Sequence, residues 1–152
     1  MNSEFNERDG RFSPDMRWIA YVSDESGNDE IWIREVSLTS QEKLMETTGR
    51  WRISKGGGME PRWRKDGKEL YYRAPEGKIM AVKVNAGTGF TYETPSELFQ
   101  VTPDYSALAA NINLSTWDVT RDGQRFLIPT PVSKFSPSPF NVILNWRQLL
   151  KQ

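Results

Sequence analysis

Three segments of this chain repeat one pattern. An apolar residue and two spacers lead to Asp and a turn residue, then two more spacers and an apolar run. The first copy is Phe12-Ser13-Pro14-Asp15-Met16-Arg17-Trp18-Ile19-Ala20-Tyr21, the second is Trp63-Arg64-Lys65-Asp66-Gly67-Lys68-Glu69-Leu70-Tyr71-Tyr72, and the third is Val119-Thr120-Arg121-Asp122-Gly123-Gln124-Arg125-Phe126-Leu127-Ile128. Asp15 and Asp66 stand 51 residues apart, and Asp66 and Asp122 stand 56 apart. Self-similarity at about 40–50 residues with several strands per unit points to a radial or stacked all-β repeat.

The chemistry inside each copy agrees with that reading. Asp-Gly between two apolar runs is a hairpin signal, because Gly accepts positive φ and Asp hydrogen-bonds its own turn backbone. Asp15, Asp66, Gly67, Asp122 and Gly123 are therefore structural turn residues. The runs at 18–23, 69–73 and 125–128 are rich in β-branched and aromatic residues and read as strands. A second turn and a third strand follow in each copy, at 31–36, 79–84 and 141–146, with fourth strands at 51–54 and 98–102. The expected fold is all-β: a partial β-propeller of about three four-stranded antiparallel blades, an incomplete ring. The blades span about 10–55, 60–102 and 115–150, within a propeller portion 10–152 preceded by an N-terminal arm at 1–9. Two segments depart from the repeat. Residues 37–49 form a polar insertion in which 41–46 favours one or two helical turns, and 103–115 is a long connection.

Composition narrows the chemistry. The chain of 152 residues has no His and no Cys. This excludes imidazole relays, thiolate nucleophiles, disulfides and Cys- or His-ligated metals. Lys plus Arg equals Asp plus Glu at 20 each, which argues against a nucleic-acid binder. No run approaches the length of a membrane helix, and the polar start is no signal peptide. The acidic loop 24–30 places oxygens at several positions of a calcium loop, but Asp29 stands where that loop requires Gly, so it reads as a solvated turn. Gly56-Gly57-Gly58 lacks the Lys-Ser/Thr and the helix of a phosphate loop and reads as a flexible connection. Arg62, Arg64 and Lys65, partly offset by Glu60, read first as solvated or blade-edge charges, with a small anion-binding patch as the alternative. Glu60, Arg62 and Arg64 are thus the candidate partner-binding residues, with no catalytic, cofactor or metal site assigned.

The segments Phe12-Ser13-Pro14-Asp15, Trp18-Ile19-Ala20-Tyr21-Val22-Ser23-Asp24 and Gly56 through Tyr72 resemble the WD40-like (PD40) repeats of the TolB-type β-propeller family. They also resemble the C-terminal propeller regions of bacterial serine/threonine protein kinases. The resemblance covers about residues 10–150. It implies a non-catalytic interaction module, a piece of a larger bacterial sensor or kinase-linked protein, placed outside the cytoplasm in its parent. Kinase and serine-hydrolase motifs are absent, so the chain is expected not to be an enzyme. The alternative is an accessory propeller of a peptidase or kinase, or a carboxylate-based hydrolase. Met16 departs from the family pattern, which has Gly there; if the position requires positive φ, Met costs about 1 kcal/mol. Three blades do not close a ring, which needs about four to eight. The partners expected are therefore a protein, the remaining blades, or a second copy closing a six-bladed ring. No cofactor is expected.

Overall fold

The computed structural model describes residues 4–38, 44–87, 89–101, 116–129 and 140–144. The chain is all-β, and among the described residues three antiparallel sheets follow one another in sequence, none of them closed. Sheet 1 has the order β1-β2-β3-β4, from Glu7–Phe12, Trp18–Ser23, Glu30–Leu38 and Leu44–Arg52. Sheet 2 has β5 (Met59–Trp63), β6 (Glu69–Arg73), β7 (Lys78–Asn85) and β8 (Thr91–Tyr92), with β9 (Ser96–Gln100) also paired to β7. Sheet 3 has β10 (Asp118–Val119), β11 (Arg125–Pro129) and β12 (Phe140–Leu144).

Sheet 1 has the four strands expected, and sheet 2 has five, two of which share one edge. In the second, β8 pairs with Val84 and Asn85 while β9 pairs with 78–81. Together they make one outer strand, interrupted where Pro95 withholds a donor from the ladder. The third has three strands among the described residues. Strand β1 begins at Glu7, inside the segment expected to be an arm. The helical turns expected at 41–46 are not formed over 44–46, which belong to β4: Leu38 pairs with Leu44 and Ser37 with Met45. Cross-strand pairing to β3 outweighs the helix propensity of that stretch. The connection 103–115 and residues 39–43 of the insertion lie outside the described residues.

The repeat turns are three copies of one hydrogen-bond arrangement. In each, the residue three before the positive-φ position binds the backbone across the hairpin: Ser13 N to Trp18 O, Arg64 N to Glu69 O and Thr120 N to Arg125 O, at 2.8–2.9 Å. The positive-φ residue returns its own N–H to that first residue's carbonyl, from Met16, Gly67 and Gly123. The Asp side chain then accepts from the N–H of Arg17, Lys68 or Gln124 at 3.0–3.2 Å. Met16 sits at φ 61°, beside 69° for Gly67 and 71° for Gly123. An L-side chain in this region is strained. Met16→Gly is therefore expected to stabilise the chain by about 1 kcal/mol, seen as a higher melting temperature. An unchanged or lower value would show that the exposed Met16 side chain offsets the strain.

Each sheet lays one face on the next. The forward face of sheet 1 (Trp18, Ala20, Val22, Ile31, Ile33) meets the rear face of sheet 2 (Leu70, Tyr72, Val82, Val84) in one buried cluster. The forward face of sheet 2 (Tyr71, Ile79, Ala81) meets the rear face of sheet 3 (Phe126, Ile128) in a second cluster. Alternation along the strands makes both faces of β6 apolar.

The Gly56-Gly57-Gly58 connection between sheets 1 and 2 is anchored, contrary to the flexible reading. Glu30, 3% exposed, accepts the N–H of Gly56 at 2.8 Å and of Gly57 at 3.2 Å, and the Ser54 hydroxyl. Ser54 Oγ in turn accepts from Ile31 N at 2.8 Å. Gly56 and Gly57 have φ of 86° and 111°, which leaves their N–H groups turned to one acceptor. The cradle a phosphate would use is filled by the chain's own carboxylate. Burial, helped by the Glu30 charge, pushes the nearby Tyr72 hydroxyl up to about 12.

Candidate functional site

Strand β5 carries Glu60 and Arg62, whose contacts reach Thr116 and Trp117 ahead of sheet 3, while Arg64, just past the strand, is paired within sheet 2. Glu60 lies in a bulge between Met59 and Arg62 with φ 54°. Its carboxylate accepts the Thr116 N–H at 2.8 Å, the Thr116 hydroxyl and an Arg73 N–H at 2.9 Å. Asp9, at φ 55°, holds the same place in β1 one repeat earlier. Arg62 donates to the carbonyls of Pro61 (2.7 Å) and Trp117 (3.3 Å), and its guanidinium lies 5.6 Å from the Trp117 ring centre. Burial lowers its pKa and Arg11 adds to that, while Asp118 and Glu60 oppose it. Arg64 makes a two-pronged pair with Asp66 at 2.7 and 2.8 Å and reaches Glu69 at 2.7 Å. The Tyr71 hydroxyl donates to the same Glu69 at 2.6 Å. Burial, with Glu69 beside it, raises the Tyr71 pKa. Of these residues, read from sequence as a patch, Glu60 and Arg62 form a polar seam toward sheet 3, and Arg64 is engaged within sheet 2.

The turns themselves stand side by side. Lys65 N donates to Arg121 O at 3.0 Å, fastening the second turn to the third. Between them lies a cleft of about 570 Å³ lined by Arg64, Lys65, Asp66, Arg121 and Asp122. A second cleft of about 440 Å³ separates the first and second turns, with Asp15, Trp18, Lys65 and Lys68 in its wall. Both carboxylates of the first cleft are engaged. Arg64 holds Asp66 below the usual carboxylate range, and the Thr120 hydroxyl with the Gln124 N–H does so for Asp122. The side chains of Lys65 and Arg121, both exposed, make no ion pair among the described residues. Two cations are thus held next to each other by a main-chain bond, with no carboxylate assigned to either. Arg121 escaped the sequence reading although it is the repeat equivalent of Lys65, and the 56-residue offset was the signal that would have found it.

The carboxylates of the acidic loop have internal partners. Asp24 accepts the Asn6 N–H at 2.9 Å, Glu25 pairs with Arg50, and Asp29 takes both prongs of Arg8. No group of three or more acidic residues among the described residues is placed to hold a metal ion.

These sheets define an all-β protein of sequentially stacked antiparallel sheets. No protein-family model matches the chain, and no curated protein matches it. Among solved structures it is similar to the crystal structure of a "putative 6-phosphogluconolactonase" from Bacteroides uniformis ATCC 8492, at 18% identity and a TM-score of 0.52. The match covers 86% of this chain and 34% of that one, so the chain spans about a third of the length of the structure it matches. At this identity the likeness shows a shared fold. These findings correct the resemblance to TolB-type, WD40-like (PD40) repeats and to kinase-linked propellers, for which no family match stands. They also correct the expectation of a non-catalytic module that is not an enzyme, since the fold is shared with a protein named for a hydrolytic activity. The Asp-Gly turns that carried the resemblance are a general hairpin device and do not distinguish one all-β family from another.

Proposed function

We propose that this chain is the anion-holding part of a hydrolase that acts on a phosphorylated sugar lactone, the substrate named for the Bacteroides protein. The observation that carries the reading is the pairing of Lys65 with Arg121 across the cleft between the second and third turns. A phosphate monoester brings about two negative charges at neutral pH. The cleft meets it with Lys65 and Arg121, while the two carboxylates in its wall are already hydrogen-bonded within their turns. In the reaction, water adds to the lactone carbonyl, the ring C–O bond breaks, and the ring oxygen takes up a proton. Lys65 and Arg121 contribute binding and orientation to this step. The lowered pKa values of Asp66 and Asp122 make both weak bases, so the role of the cleft is to hold the substrate. The finer reading of the fold, with the three sheets as blades of an open arc, belongs with this proposal. Its support is that each sheet starts from the same turn and seats on its predecessor in chain order.

Calorimetric titration with 6-phosphogluconate tests the reading. Saturable binding is expected to weaken about tenfold, some 1.4 kcal/mol, in Lys65→Ala and in Arg121→Ala. Gluconate, which lacks the phosphate, is expected to bind at least as poorly to the unmodified chain. Equal affinity for the two ligands, or a double variant that binds like the parent, overturns it.

A further inference from the structure

The cleft between the first and second turns is built like the one between the second and third, and Lys65 stands in the wall of both. Its volume is about 440 Å³, with Asp15 and Trp18 from the first repeat and Lys65, Asp66 and Lys68 from the second. The carboxylates in it are engaged. Asp15 accepts the Ser13 hydroxyl and the Arg17 N–H, and Asp66 accepts both prongs of Arg64 and the Lys68 N–H. The donors are not. The side chains of Lys65 and Lys68 are exposed and make no ion pair among the described residues. Trp18 is 2% exposed, and its Nε1 is buried without an acceptor among the described residues. The repeat equivalents of Lys68 do not offer the same charge: Arg17 donates to the Gly87 carbonyl at 3.1 Å, and Gln124 is neutral.

Two ammoniums and a buried indole N–H, beside carboxylates that already have partners, suit a ligand group that only accepts. A buried donor left unpaired is costly, and a carboxylate oxygen forms the stronger, charge-assisted bond with such donors. We infer that this cleft takes the carboxylate end of a sugar acid phosphate whose phosphate lies between the second and third turns, one ligand crossing the second turn beside Lys65. The inference rests on the phosphate site proposed above and adds the class of ligand: an open carbon chain with an anionic group at each end. Once one end is seated, the other meets its cleft at a high effective concentration. A lactone has no free carboxylate. Ring opening therefore creates the group this cleft receives, and the acid is held more tightly than the lactone it came from.

Calorimetric titration with 6-phosphogluconate and with glucitol 6-phosphate tests the inference. The second ligand keeps the chain and the phosphate but has a hydroxymethyl group where the first has a carboxylate. The unmodified protein is expected to bind the acid about tenfold more tightly. Lys68→Ala should erase that preference and leave the affinity for glucitol 6-phosphate unchanged, with an unaltered far-ultraviolet spectrum because the side chain is exposed. Arg121→Ala should weaken both ligands alike. Equal affinity for the two ligands in the parent overturns the inference, as does a Lys68→Ala variant that keeps the preference or weakens both ligands equally. In those cases a shared loss in Arg121→Ala leaves the phosphate site standing. Absence of binding by either ligand, or binding that Arg121→Ala does not change, overturns both.

Discussion

Replacing Phe126 by alanine is expected to destabilise the chain by about 3–5 kcal/mol and to release sheet 3 from sheet 2. Phe126 is fully buried and is the hub of the second cluster. Its ring meets Tyr71 and Phe99 edge-on at 5.4 and 5.1 Å and stacks on Trp117 at 6.0 Å. Truncation removes the transfer free energy of the ring and leaves a cavity among groups fixed from two sheets, so little collapse is available to fill it. Sheet 3 has three described strands and reaches sheet 2 through Phe126, Ile128 and Trp117. Its loss should be local. Amide exchange should quicken in β11 while β2 and β3, in the other cluster, keep their protection. Uniform loss of protection over all three sheets would show instead that the two clusters unfold as one unit. A change below about 1 kcal/mol would show that the hub is not where the free energy lies.

The second large effect is expected at Glu30. Glu30→Ala should cost about 3 kcal/mol, because charge-assisted hydrogen bonds from Gly56, Gly57 and Ser54 are lost together and Ser54 is buried. Glu30→Gln keeps the shape and one acceptor oxygen, and about half of the loss should be recovered. Urea denaturation gives both values. A parent-like midpoint for the alanine variant would mean that water replaces the carboxylate at no cost. Accelerated exchange of the Gly56 and Gly57 amides would locate the effect in the connection between the sheets.

Much of the local structure was legible in the sequence, and the reasons are local. Strands β2 and β6 occupy the residues read from pattern alone, Trp18–Ser23 and Glu69–Arg73. Each follows an Asp turn whose chemistry fixes the hairpin start. The positive φ expected at Met16 came from the same alignment. What could not be read depends on partners far along the chain. Glu30 looked like one more acid in a solvated loop, because its acceptor role is defined by two glycines more than twenty residues away. Glu60 and Arg62 looked like part of a surface patch because Thr116 and Trp117, which they meet, carry no local signal of being neighbours. Residues 44–46 have helix-favouring side chains, and only pairing with β3 makes them strand. The family resemblance failed for the converse reason: the turns that carry it are required by hairpins in general.

The two clusters give the three sheets unequal freedom to change. Sheet 2 is a party wall: β6 sends Leu70 and Tyr72 into one cluster and Tyr71 into the other. Each of those side chains fills one core, but the strand they share belongs to both, so a backbone shift that accommodates a new volume on one side disturbs the other, whereas a shift at Ala20 or Ile128 disturbs one core. Sequence drift should therefore be slowest in the middle third of the chain. The outer sheets can exchange one apolar side chain for another while a single neighbour readjusts.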